Sequence, residues 1–142
     1  TRVVAPAIEA VREIAVVVKK KDQVLLLRRP ATGRWAKMWE FPHLPREEKE
    51  TDPEAAERIL HNLLGIRADV GAEVLTIRHS VTRFRITLVA LEAEYRSGIV
   101  RPAYYEEARW LSPAECAEYP VSRPQRILAN EVVKPTRQRS LF

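Results

Sequence analysis

Apolar residues run unbroken from Ile14 to Val18 and again from Val24 to Leu27, with the charged trio Lys20, Lys21 and Asp22 between them. This pattern predicts two strands, residues 13–19 and 23–28, joined as an antiparallel hairpin by a solvated turn. Residues 30–45 hold Gly33, Trp35, Trp39, Phe41 and Pro42, which predicts an ordered loop of the Ω type or a short strand. A helix follows over residues 53–64. Thr51 or Asp52 serves as N-cap, Pro53 takes the first helical position, and Ala56, Ile59, Leu60, Leu63 and Leu64 recur at helical spacing before Gly65 as the C-terminal stop. Residues 70–78 and 83–94 predict two more strands, the second alternating Phe84, Ile86 and Leu88 against Arg85, Thr87 and Val89. A short strand at 109–111, a turn from Ser112-Pro113 to Ala117 and a last helix over 124–132 complete the order β-β-loop-α-β-β-β-α. That order predicts an α/β fold, a mixed β-sheet sandwiched between helices.

The 142 residues suffice for one domain, and the five-residue run Ile14 to Val18 is far too short to span a bilayer. The lone Cys116 excludes an internal disulfide, a four-thiolate iron-sulfur cluster and a cysteine-built zinc site within these residues, and fits a reducing, cytoplasmic setting. The chain starts at Thr1 without methionine, so it is expected to be a piece of a longer protein. Its net charge of +5 is unevenly spread: residues 1–40 carry +5, 41–75 carry −4 and 76–105 carry +3. Two basic segments that met on one face would attract a polyanion such as nucleic acid; a plain solvated basic surface is the other reading of the same charge.

The hairpin, aromatic loop and helix resemble the Nudix fold, whose catalytic members carry Gly-x5-Glu-x7-Arg-Glu-U-x-Glu-Glu-x-Gly-U, where U is an apolar residue. On this chain Leu44 stands at the first Gly, Glu50 at the first Glu and Arg58 at the Arg, followed by residues 59–66. Glu50, Arg58, Leu60, Gly65 and Ile66 match, whereas Leu44, Ile59, Asn62 and Leu63 depart. The resemblance implies that catalysis needs Mg²⁺ on hard oxygen ligands and a base for water, and two of the three helix carboxylates are here aliphatic and one an amide. Glu54 and Glu57 are explained as charges compensating the helix dipole.

Within that superfamily, residues 25–30 followed by Gly33-Arg34-Trp35-Ala36-Lys37-Met38-Trp39-Glu40-Phe41-Pro42 resemble the C-terminal domain of MutY-type adenine DNA glycosylases. The resemblance covers residues 13–133, with 1–12 as a linker remnant and 134–142 as a flexible tail. It implies a non-catalytic domain that reads 8-oxoguanine opposite adenine in duplex DNA for base excision repair. An N-terminal catalytic domain bearing an iron-sulfur cluster would remove the adenine; no cofactor is implied for these residues. His79, Val81, Thr82 and Arg83 fall where that family places its lesion-reading loop, so Val81 is expected as the wedge, Thr82 as the hydroxyl reading the altered base edge, and Arg83 as a phosphate or base contact. Arg34 and Lys37 are expected to meet phosphates, while Trp35, Trp39 and Phe41 are expected in the core. The final Gln138-Arg139-Ser140-Leu141-Phe142 resembles the peptide that docks on bacterial sliding clamps, which implies the clamp as a partner through Gln138, Leu141 and Phe142 and a nucleoid-associated location. An active Nudix nucleotide pyrophosphohydrolase is the alternative, and magnesium-dependent turnover of a nucleotide is what distinguishes it.

Overall fold

Successive side chains of a strand point to opposite faces, and the first strand is apolar on both. In the computed structural model, which describes residues 7–33, 35–101 and 103–134, this strand is β1 (Glu9–Lys20), at the centre of one mixed sheet. Ile14, Val16 and Val18 pack against Ala55, Ala56, Ile59 and Leu60 on one face, while Ala15 and Val17 pack with Phe41, Leu128, Ala129 and Val132 on the other. Two cores, one on each side of the sheet, therefore follow from a single strand.

The sheet runs β3 (Trp39–Glu40), β2 (Gln23–Arg28), β1, β6 (Phe84–Ser97), β5 (Arg67–Val81), with β4 (His43–Pro45) paired to β1 and β7 (Glu107–Leu111) paired to β2. Among the named strands, only β1 and β6 are parallel, in register from Glu9 opposite Phe84 to Lys19 opposite Glu94. The other pairings are antiparallel. The mixed β-sheet sandwiched between helices expected from the sequence is thus the architecture observed.

β1 begins at Glu9, so residues 9–12, expected to be linker, are strand: pairing with β6 extends it beyond its apolar stretch, and Arg12 is tied to Asp52 by two hydrogen bonds of 2.9 and 2.6 Å. The loop over residues 30–45 folds back to donate the short strands β3 and β4. The predicted helix is α1 (Asp52–Arg58), opened by a reciprocal capping box between Thr51 and Glu54 and continued by one π-helical turn, Ile59–Leu63. Gly65 ends it in the left-handed conformation (φ +74), with Ile66 N–H bonded back to the Leu60 carbonyl at 3.0 Å. A short α2 (Pro113–Cys116) leads to α3 (Arg123–Val133), which covers the second face. Among the described residues no helix is long and apolar enough to cross a membrane.

Candidate functional site

Among the described residues Glu40 is the one acidic residue in the core: it sits in β3 between Trp39 and Phe41 and is 5% exposed. A buried carboxylate demands partners, and it has them on both oxygens. Arg29 approaches Oε1 at 3.2 Å and Oε2 at 3.3 Å, the Tyr105 hydroxyl donates to Oε2 at 2.9 Å, and His43 Nε2 lies 3.1 Å from Oε2. His43 Nδ1 faces Glu13 Oε1 at 3.4 Å, an ion-pair distance. Burial alone raises the Glu40 carboxyl, but His43, Arg29 and Tyr105 outweigh it and hold Glu40 below the usual carboxylate range. Burial alone lowers His43; its two carboxylates prevail and push it up to about 10, so the ring is a fixed cation at neutral pH. Tyr105, desolvated and facing Glu40, is raised and stays protonated. The cluster thus pairs two cations, Arg29 and His43, with two carboxylates, Glu13 and Glu40.

This cluster forms the floor of a cavity of about 670 Å³ between the sheet and the start of α3. Ile77, Val81, Ile86 and Leu88 form an apolar wall. On the opposite side Ser122, Arg123 and Gln125 present the first turn of α3, whose N-cap Ser122 makes no side-chain capping bond. Gln125, 3% exposed, accepts the Phe41 N–H on Oε1 at 2.8 Å and so ties α3 to the β3–β4 segment.

Of the residues singled out from the sequence, His79 and Val81 line this cavity. Thr82 and Arg83 form the β5–β6 turn: Thr82 is exposed, in the left-handed region (φ +50), with its hydroxyl donating to the Val81 carbonyl at 2.7 Å. Arg83 reaches Glu9 at 3.8 Å and lies over the Phe84 ring. Lys37 is exposed in the turn before β3. Arg34, Gln138, Leu141 and Phe142 lie outside the described residues. Trp39 and Phe41 are core, as expected, but Trp35 is not: it is 46% exposed and borders the cavity. The reason is its place in the turn preceding β3, outside the pleat that buries Trp39. The residues missed were Glu13, Arg29, Glu40, His43 and Gln125. An acidic residue within an aromatic run was a readable signal for Glu40; the other four depend on tertiary contacts.

The helix on the other face of the sheet keeps its brace. Arg58 Nε and Nη2 bond the two Glu50 oxygens at 2.6 and 2.9 Å, and Nη2 also bonds the Pro45 carbonyl at 2.9 Å. The Arg58 guanidinium holds the Glu50 carboxyl below its ordinary value.

A family model described as a NUDIX domain matches residues 13–131. The chain belongs to the NUDIX domain family. It is 30% identical over 109 residues to a CTP pyrophosphohydrolase of Escherichia coli K12, covering 77% of this chain and 81% of that protein. The solution structure of the E. coli ORF135 protein superposes with a TM-score of 0.79 at 27% identity, over 87% of this chain and 89% of that one. A MutT protein from Methanosarcina mazei Go1 has the same fold, with a TM-score of 0.76 at 18% identity over 90% and 94% of the two chains. These likenesses overturn the expected assignment to a MutY-type glycosylase and its base-excision role. They run to Nudix domains and hydrolases of matching length, and nothing in them points to a glycosylase. The lesion-reading roles of His79, Val81, Thr82 and Arg83, and the catalytic partner domain with its iron-sulfur cluster, lose their basis with it.

The magnesium ion that a Nudix fold implies does not fit the residues of this one. Ile59 is fully buried in the core, Leu63 packs on the same cluster and Asn62 is exposed, where the box requires carboxylates. Glu54 is engaged in the capping box, and the described residues contain no group of three His, Cys, Asp or Glu disposed to hold a metal.

Proposed function

We propose that this NUDIX domain binds a nucleoside phosphate in the cavity between the sheet and α3, without the magnesium-assisted cleavage for which the box is built. The observation that carries this reading is the contrast between the two faces of the sheet. The cavity, about 670 Å³ with an apolar wall and a polar, charge-paired floor, has the size and lining of a small-molecule site. On the opposite face, the box helix has exchanged its three carboxylates for Ile59, Asn62 and Leu63 while retaining the Glu50–Arg58 brace that shapes the loop. The ligand class is taken from the curated relative, whose name states that it acts on CTP.

A second reading, a working nucleotide pyrophosphohydrolase, is supported by the same relative's 30% identity. One experiment separates the two. The purified chain is titrated with CTP by calorimetry without divalent metal, then incubated with CTP and Mg²⁺ while pyrophosphate release is followed. Binding that needs no metal, with no release above the uncatalysed rate, is the expected result. Magnesium-dependent release instead establishes the hydrolase reading, and absence of binding in both arms removes the first.

A further inference from the structure

Trp35 is costly to place as it stands. Its backbone is left-handed (φ +60), a conformation bulky side chains rarely adopt, and the turn around it is closed by Met38 N–H to the Trp35 carbonyl and Lys37 N–H to the Pro30 carbonyl, both at 3.0 Å. The indole is nevertheless 46% exposed, and no described aromatic or cationic side chain stacks on it. The other two tryptophans are engaged: Trp39 meets Tyr119 edge-on at 5.0 Å and Trp110 meets Tyr95 at 5.5 Å. Strain held in an exposed aromatic beside a cavity marks a surface kept for something outside the chain.

Within the same cavity Gln125 has one half of its amide committed. Its oxygen accepts the Phe41 N–H, which fixes the flip and leaves the amide NH₂, in a residue lining the cavity, with no hydrogen-bond partner among the described residues. The floor below it balances two cations, Arg29 and His43, against two carboxylates, while Arg78 and Arg123 also line the cavity, so the floor suits a neutral planar group and the two arginines leave positive charge for a phosphate.

We infer that Trp35 and Gln125 seat the base of the ligand: the indole stacks on the ring, and the Gln125 NH₂ donates to a carbonyl on its edge. This rests on the nucleoside-phosphate reading above and adds which part of the ligand occupies the cavity and which residues select it. Base stacking on an aromatic side chain is tolerant of base identity, whereas a single fixed amide donor discriminates by edge.

The test is calorimetric titration of the full chain with CTP, with cytidine and with inorganic pyrophosphate, in wild type, Trp35→Ala, Trp35→Phe and Gln125→Glu. Trp35→Ala is expected to weaken CTP and cytidine about tenfold and leave pyrophosphate unchanged, with Trp35→Phe recovering most of the loss. Because Trp35 is exposed, its variants should melt with wild type. Gln125→Glu keeps the acceptor for Phe41 and turns the donor into an oxygen, and is expected to cost cytidine about tenfold. If Trp35→Ala binds CTP and cytidine like wild type, or loses pyrophosphate in the same proportion, the base does not rest on Trp35 although the nucleoside-phosphate reading survives. If wild type binds neither CTP nor cytidine, both fall.

Discussion

His43 is charged because two carboxylates face it, and that charge links the site to pH. Its pKa rises on folding from an ordinary 6.5 to about 10, so its pairing contributes stability in full below about 6.5 and loses it as pH climbs towards 10. Glu40 moves the other way: lowered from 4.5, it contributes above that value and loses its contribution as pH falls. The cluster is therefore worth most between about 4.5 and 6.5. His43→Gln is expected to flatten the decline in urea midpoint between pH 6.5 and 10; an equally steep decline in the variant refutes the assignment. Thr82 offers a second residue-scale test. A β-branched residue at φ +50 is strained, and Thr82→Gly is expected to raise stability by about 1 kcal/mol, measured by thermal melting. At this scale the sequence was only partly readable. Trp39 and Phe41 were legible as core from their aromatic crowding, but nothing local told Trp35 apart from them, since its exposure comes from a turn conformation. Glu13, His43 and Gln125 were invisible because each acquires its meaning from a partner on another element.

At the scale of elements, the helix ending in Gly65 was legible almost whole: its capping residue, proline, apolar stripe and terminal glycine all follow local rules. Its final π turn was not, since periodicity cannot separate one wide turn from regular helix. The loss of carboxylates from this helix is built into the packing as well as the chemistry. Ile59 touches the core formed by β1 and β6, so Ile59→Glu, offered as a restoration of the box, is expected to cost 3 kcal/mol or more, roughly the penalty of an unpaired buried charge. Asn62→Glu on the exposed side should stay within about 0.5 kcal/mol of wild type. Urea denaturation of the two variants checks both values, and similar stabilities for both would show that the Ile59 site adapts. Strand ends were the least legible feature. β5 and β6 each run past their apolar stretches because an antiparallel partner, rather than hydrophobicity, supplies their last hydrogen bonds.

For the molecule as a whole, the fold class was legible because a strand apolar on both faces requires a layer on each side, and two helix signals were available to supply them. The parallel pairing of β1 with β6 was not, because no local pattern records a partner so distant along the chain. That pairing also sets an order of events during synthesis. β1 leaves the ribosome well before β6, which ends at Ser97, so the run Ile14 to Val18 has one edge uncovered until β6 has emerged. A β-branched apolar segment with an open edge is a template for pairing with another nascent chain. Slower, cooler expression that lengthens the lifetime of separate chains relative to their encounters therefore favours recovery of the folded domain, and crowded synthesis favours inclusion bodies nucleated at its most central strand.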